Sequence, residues 1–279
     1  QRAHVKTTRP RRIFLLLSPL VLGFPLAVFP QANPVPPGGL VRWPGEGIDS
    51  CSLGEREWAP RGGACWYPVD LLASGQIEVS RRRDGRDEAR RVTVADYPYD
   101  VQRIEIQDES RVNLSSENVA RSQAESARIR QLWPRETEAR FELPLSPPLA
   151  DLPNGGRFGA RRIINGEPRS PHTGADYAAD TGEPILAVAA GEVVLAEEHF
   201  FAGNSVFLDH GDGLISMYFH MSRIDVARGE IVERGQTIGR VGATGRATGP
   251  HLHFGLRWHG ARVDPGLLLG DPAAVPGIE

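Results

Sequence analysis

After residue 150 this chain offers no helical period of useful length, and that most limits what it can fold into. In its place come "PILAVAAGEVVLAEE", "NSVFLDHG", "LISMYFHMS", "EIVERGQTIGRVG" and "HLHFGLRW". Turn signals such as Gly203-Asn204 and Gly211-Asp212-Gly213 separate them, so strands joined by tight turns are expected. Period-two runs recur upstream, between about residues 51 and 110, in "GQIEVSRR", "RRVTVADY" and "VQRIEIQD". One stretch breaks the pattern. Ser115 to Trp133 lacks Gly and Pro and puts Val119, Ala120, Ala127, Ile129 and Leu132 roughly on one face. Ser115 or Ser116 can cap it and Pro134 stops it, which predicts a helix near 116–133. "LPLSPPLADLPNGG", Leu143 to Gly156, reads as a boundary. The expected fold is therefore mainly β: an antiparallel β-sheet domain over 150–279, preceded by a β-rich domain with one helix over 34–145.

Composition agrees with that class. Gly (31) and Pro (23) are abundant among the 279 residues, which suits turn-rich β structure and a chain too apolar for disorder. A net charge of −3 gives no electrostatic case for a nucleic-acid partner. Residues 1–33 differ from the rest. Arg9, Arg11 and Arg12 precede the uncharged run Ile13 to Phe29, the layout of an export signal or an uncleaved N-terminal membrane anchor. In both cases the remaining chain leaves the cytoplasm for the periplasm or cell envelope. The only two cysteines, Cys51 and Cys65, lie in one Gly/Pro-rich stretch. In an exported chain they are expected to close a short disulfide loop, with two unpaired buried thiols as the alternative. A cysteine zinc site would need a second pair.

Alternation also predicts where histidines point, because residues two apart on a strand share a face. In "HLHFGLRW", His251 and His253 share one side and Leu252, Phe254 and Leu256 the other. In "LISMYFHMS", Ile215, Met217, Phe219 and Met221 oppose Tyr218 and His220. In "PHTGADYAAD", Gly174 argues against a helix, so His172 and Asp176 fall on one side of an extended segment. A catalytic zinc site needs three protein ligands and an open position. His172, Asp176 and one histidine of the HLH pair would supply three, leaving the other and His220 as free bases. His199 and His259 have no acidic or imidazole company and are expected at the surface. His210 is expected to hydrogen-bond its turn.

The run "HTGADYAADTGEPILAVAAGEVVLA", then "GNSVFLDHGDGLISMYFHMS", then "GQTIGRVGATGRATGPHLHFGL" resembles the lysostaphin-type (LytM-like) zinc metallopeptidases over about residues 155 to 266. The resemblance implies His172, Asp176 and His253 as zinc ligands and His251 and His220 as the catalytic pair. It also implies peptide bonds of bacterial peptidoglycan, in cross-bridges or stem peptides, as substrate. The region 34 to 145 more loosely resembles the β-rich domain ahead of the catalytic domain in some exported members.

On that resemblance, zinc lowers the pKa of water. No HExxH glutamate is present, so an imidazole must take the proton, and His251 is placed for it. His220 would stabilise the oxyanion or protonate the leaving amine. Tyr218, on the predicted face of His220, is a candidate hydrogen-bond donor to substrate or a packing residue. Asn165, ahead of the first ligand, is a candidate for the open zinc position in a latent form. The alternative function is a non-catalytic LytM-like module that binds the wall or activates an amidase.

Overall fold

The computed structural model describes residues 33–278. The export signal or anchor expected over 1–33 lies essentially outside them. No helix among the described residues is long and apolar enough to cross a membrane.

The N-terminal part is built from β1 (Leu40–Pro44), β2 (Ile48–Leu53), β3 (Arg56–Trp58), β4 (Ala64–Pro68), β5 (Gln76–Arg83), β6 (Arg86–Thr93) and β7 (Val101–Ile104). β1 pairs with β4, and β3-β2-β5-β6 form a four-stranded sheet. Between them lies a core of Val41, Trp43, Cys51, Trp58, Cys65, Tyr67, Val79 and Val92. Cys51 and Cys65 are joined as a disulfide across 14 residues, as expected. Closing a loop of that length stabilises a fold by roughly 3 kcal/mol, chiefly through the unfolded chain. The double variant Cys51→Ser/Cys65→Ser is therefore expected to unfold at lower urea by about that amount, read from equilibrium denaturation.

Helix α1 (Ser116–Arg130) follows, capped by the Ser115 hydroxyl, which accepts the Asn118 N–H at 3.2 Å. The expected apolar face is only partly the packed one. Val119, Ala120 and Ala127 are exposed. The packed line runs instead from the buried Glu125 through the half-buried Ile129 to Leu132, at true helical spacing,. Charge anchors the helix: Glu125 accepts the Phe200 N–H at 2.9 Å, and Arg128 pairs with Glu197 at 3.0 Å.

The remaining chain forms β8 (Arg161–Ile164), β9 (Glu167–Arg169), β10 (Gly174–Ala178), β11 (Pro184–Leu186), β12 (Gly191–His199), β13 (Gly203–Asp209), β14 (Leu214–Met221), β15 (Arg223–Ile224), β16 (Ile231–Val232), β17 (Thr237–Arg240), β18 (His251–Trp258), β19 (Ala261–Val263) and the short α2 (Pro265–Leu269). Its main sheet runs β10-β18-β14-β13-β12-β16, antiparallel throughout, with β19 on β18. One face buries Tyr177, Val206, Leu208, Tyr218, Leu252, Phe254 and Leu256. The other packs Phe207, Ile215 and Met217 against Ile129, Leu132 and Trp133.

The segments on either side of Leu143–Gly156 share structure. β7 pairs in parallel with β8. Leu40, Ala64 and Trp66 sit in the same core as Phe254 and Trp258, with the Trp66 and Trp258 rings 6.3 Å apart. Arg262 chelates Asp70 through two nitrogens.

Candidate metal centre

The face of the sheet that carries α1 also carries, beyond it, one row of side chains. Pairing sets Asp176 opposite His253 on β10 and β18, and His253 opposite Phe219 on β18 and β14. Opposed residues in antiparallel strands share a face, so alternation in "HLHFGLRW" delivers His251 and His253 as expected. The Phe219 ring lies parallel to His253, centroids 5.1 Å apart. His172 enters two residues ahead of β10, held by its N–H to the Ala160 carbonyl at 2.9 Å. Gly174 keeps room for the cluster, since a Cβ there would lie 2.7 Å from His253 Nε2 and 2.5 Å from the Phe254 carbonyl oxygen.

Three donor atoms converge. His172 Nε2 lies 3.0 Å from Asp176 Oδ1 and 2.8 Å from His253 Nδ1, which is 2.9 Å from the same Oδ1. The Nδ1–H of His172 donates to the Arg157 carbonyl at 2.9 Å, which leaves Nε2 as a lone pair,. Burial pushes His172 below its ordinary pKa and His253 down to about 4, so both rings are neutral at pH 7. Burial alone would raise the Asp176 carboxyl, but the His172 and His253 rings drawn up against it hold it well below the usual carboxylate range. Arg162 approaches the outer oxygen, Oδ2, at 3.7 Å. Two neutral imidazoles and one ionised carboxylate, with His172 held from behind by Arg157 and Asp176 flanked by Arg162, fit a three-ligand zinc site,.

Two further imidazoles border it. His251 Nε2 lies 3.8 Å from Asp176 Oδ1, and its Nδ1–H donates to the Gly249 carbonyl at 2.9 Å. The His220 ring centroid is 4.8 Å from that of His251, and its Nδ1–H donates to the Thr244 carbonyl at 2.8 Å. Burial, then the neighbouring His253 and His251 rings, push His220 down to about 3.

His220 arrives by an irregularity. β13 advances two residues, Asn204 to Val206, while β14 advances three, Tyr218 to Met221. The extra residue is a bulge with His220 at φ +64°, a conformation that costs a non-glycine residue about 1–3 kcal/mol,. The N–H of His220 is tied to the Ala202 carbonyl at 2.8 Å. The bulge puts His220 on the side of Phe219 and corrects the expected pairing of faces. Tyr218 stays in the core, with no exposure, its hydroxyl accepting the Val188 N–H at 3.1 Å. It cannot reach a substrate.

Asn165 is not a latent ligand: its side chain exchanges hydrogen bonds with the backbone of Ile106, at 2.8 and 3.1 Å. His199 and His259 are not surface residues either. His199 is buried against Ser205 across the β12–β13 hairpin, and His259 stacks on Trp58 at 4.0 Å, a contact supplied by the distant N-terminal part of the chain. Arg162 and Phe219 escaped the sequence reading; an arginine in "RRII" and an aromatic in a strand carry no distinguishing signal.

Residues 170–265 match the family described as Peptidase family M23. The crystal structure of a Pseudomonas aeruginosa protein assigned to peptidase M23 is 31% identical, with a TM-score of 0.66, covering 86% of this chain and 96% of that one. The chain belongs to peptidase family M23. M23 peptidases are zinc metallopeptidases, in agreement with the donor set. Among its relatives, the peptidoglycan DD-endopeptidase ShyA of Vibrio cholerae is 44% identical over 95 residues, 34% of this chain and 22% of the relative. The DD-carboxypeptidase/endopeptidase Mpg of Neisseria meningitidis serogroup B is 44% identical over 94 residues, again 34% and 22%. This M23 chain thus spans under a quarter of the length of these two curated relatives.

Away from the metal centre, His210 links the sheet to the loop before β12. Its Nδ1–H donates to the Ala190 carbonyl at 2.8 Å and its Nε2 accepts from the Ser216 hydroxyl at 2.7 Å. Full burial pushes it from 6.5 down to about 4. The unfolded chain therefore takes up this proton first as pH falls. Its contribution is complete above pH 6.5 and is lost as pH drops through about 4, by up to roughly 3 kcal/mol. Urea midpoints measured from pH 7 to 4 should fall more steeply for the wild type than for His210→Gln.

Proposed function

We propose that this chain is a zinc endopeptidase that hydrolyses peptide bonds in the cross-links or stem peptides of bacterial peptidoglycan. Residues 150–279 carry the chemistry. One observation carries the reading: His172, Asp176 and His253 converge within 3.0 Å, while His251 and His220 border them as unligated bases. When bound, zinc supplies a Lewis acid that polarises the scissile carbonyl and acidifies water.

The chain's own residues do the rest. His251 presents Nε2 as an acceptor, because its Nδ1 proton is committed to Gly249, and it takes the proton of the attacking water. His220 likewise presents a bare Nε2, which cannot donate to an oxyanion until it has gained a proton. That tautomer favours a shuttle over an oxyanion donor: the proton that His251 took from water passes through the adjacent His220 to the leaving amine, which restores both rings. The peptidoglycan substrate is supported by the relatives' names and sets the cell envelope as the place of action, with the basic and apolar segment before residue 30 as export signal or anchor.

The test is digestion of purified cross-linked peptidoglycan by the zinc-loaded chain, with products read by mass spectrometry. Loss of cross-linked dimers that a chelator abolishes is the expected result. Intact dimers beside a zinc-loaded chain would overturn the enzyme in favour of a binding module.

A further inference from the structure

Beside the metal centre, a cleft of about 300 Å³ separates the segment after β7 from the loop after β17. Glu105, Asp108 and Arg111 line one side, Arg246 and Thr248 the other. The second wall is continuous with the catalytic apparatus, because the Thr244 carbonyl, two residues before Arg246, holds the His220 ring.

The charges in this cleft are unequally satisfied. Asp108 is engaged by Ser110 and by Arg111 at 3.5 Å, and Arg111 also donates to the Phe200 carbonyl. Glu105 forms no ion pair among the described residues. Arg246 is half-buried, and its guanidinium makes no hydrogen bond or ion pair among the described residues. It lies only over the Phe201 ring, 4.3 Å from the centroid. Its backbone is fixed by the N–H to the Phe201 carbonyl at 2.8 Å. Burial, then Arg162, Arg169 and Arg111, push its pKa down to about 10, which still leaves it charged at pH 7. A half-buried guanidinium among other guanidiniums is unfavourable unless an anion completes it. Its planar fork suits a carboxylate.

We infer that Arg246 forms a carboxylate subsite, selecting peptides that carry a free carboxylate flanking the scissile bond. The inference rests on the peptidase reading above and narrows its substrate class to acidic peptides. Arg246 is a specificity residue: it holds the substrate's anion and takes no part in proton transfer.

The test uses one cross-linked muropeptide in two forms, with its free carboxylates intact or amidated. The zinc-loaded wild type should cleave the acid form with a kcat/KM at least about tenfold higher, the scale of one charged hydrogen bond. Arg246→Gln should lose that preference by slowing the acid form alone, and Arg246→Lys should regain part of it. Equal slowing of both forms, or an unchanged preference, overturns the subsite. If the wild type cleaves neither form, the peptidase reading fails, and binding decides the subsite. Fluorescence anisotropy on zinc-loaded His251→Ala should then give a Kd at least about tenfold lower for the labelled acid form. Adding Arg246→Gln should erase the difference. A Kd ratio that survives Arg246→Gln overturns the inference whatever the activity.

Discussion

Replacing His251 by alanine lowers hydrolysis of cross-linked peptide by about 10²–10⁴-fold, the usual worth of a positioned general base, while bound zinc stays unchanged. The split follows from geometry. His251 stands outside the trio: its Nε2 lies 3.8 Å from Asp176 Oδ1, whereas His172 Nε2 and His253 Nδ1 lie 3.0 and 2.9 Å from that oxygen. Its other nitrogen is committed to the Gly249 carbonyl, so the ring is oriented without help from a metal. Zinc content by mass spectrometry and turnover on peptidoglycan, measured on the same sample, check both halves. Loss of zinc together with activity would make His251 a ligand and leave the reaction without its base.

Asp176→Asn has the opposite signature: zinc is lost first and activity follows. Asp176 Oδ1 is the atom on which both ligand rings converge, and its carboxylate is the only negative charge among the three donors. An amide keeps the shape and removes that charge. Zinc affinity, read by competition with a chelating dye, should fall by more than the 10–100-fold typical of an outer-shell change. Arg162→Gln supplies the comparison. Arg162 touches only Oδ2, at 3.7 Å, and orients the ligand rather than replacing it. Its loss should cost about 10–100-fold in affinity. A deficit for Arg162→Gln as large as that for Asp176→Asn would mean that the arginine, and not the carboxylate, sets the site.

Much of this site could be read along the chain because strand alternation is local. His251 and His253 had to share a face once "HLHFGLRW" formed a strand, and Leu252, Phe254 and Leu256 had to enter the core,. The one-sided placement of His172 and Asp176 in "HTGAD" and the Ser115 cap were legible for the same reason: each depends on neighbours within a few residues. The helix face was misjudged where apolar identity outweighed spacing. Val119 and Ala127 are apolar, yet Glu125, bonded to the Phe200 N–H, is the residue that packs.

Other features were settled by partners far along the sequence. Asn165 turns to the backbone of Ile106, 59 residues upstream, and Arg162 finds Asp176 only after β8 pairs with β7. Nothing in the order of residues announces either contact. The decisive case is His220. Alternation alone would bury it beside Tyr218, and one extra residue in β14 reverses that assignment. The bulge persists because the Ala202 carbonyl takes its N–H and the Thr244 carbonyl takes its ring proton. Local order thus determined which residues could face the metal centre. Only the assembled sheet, holding a histidine at φ +64° against its own preference, brought the last imidazole to it,.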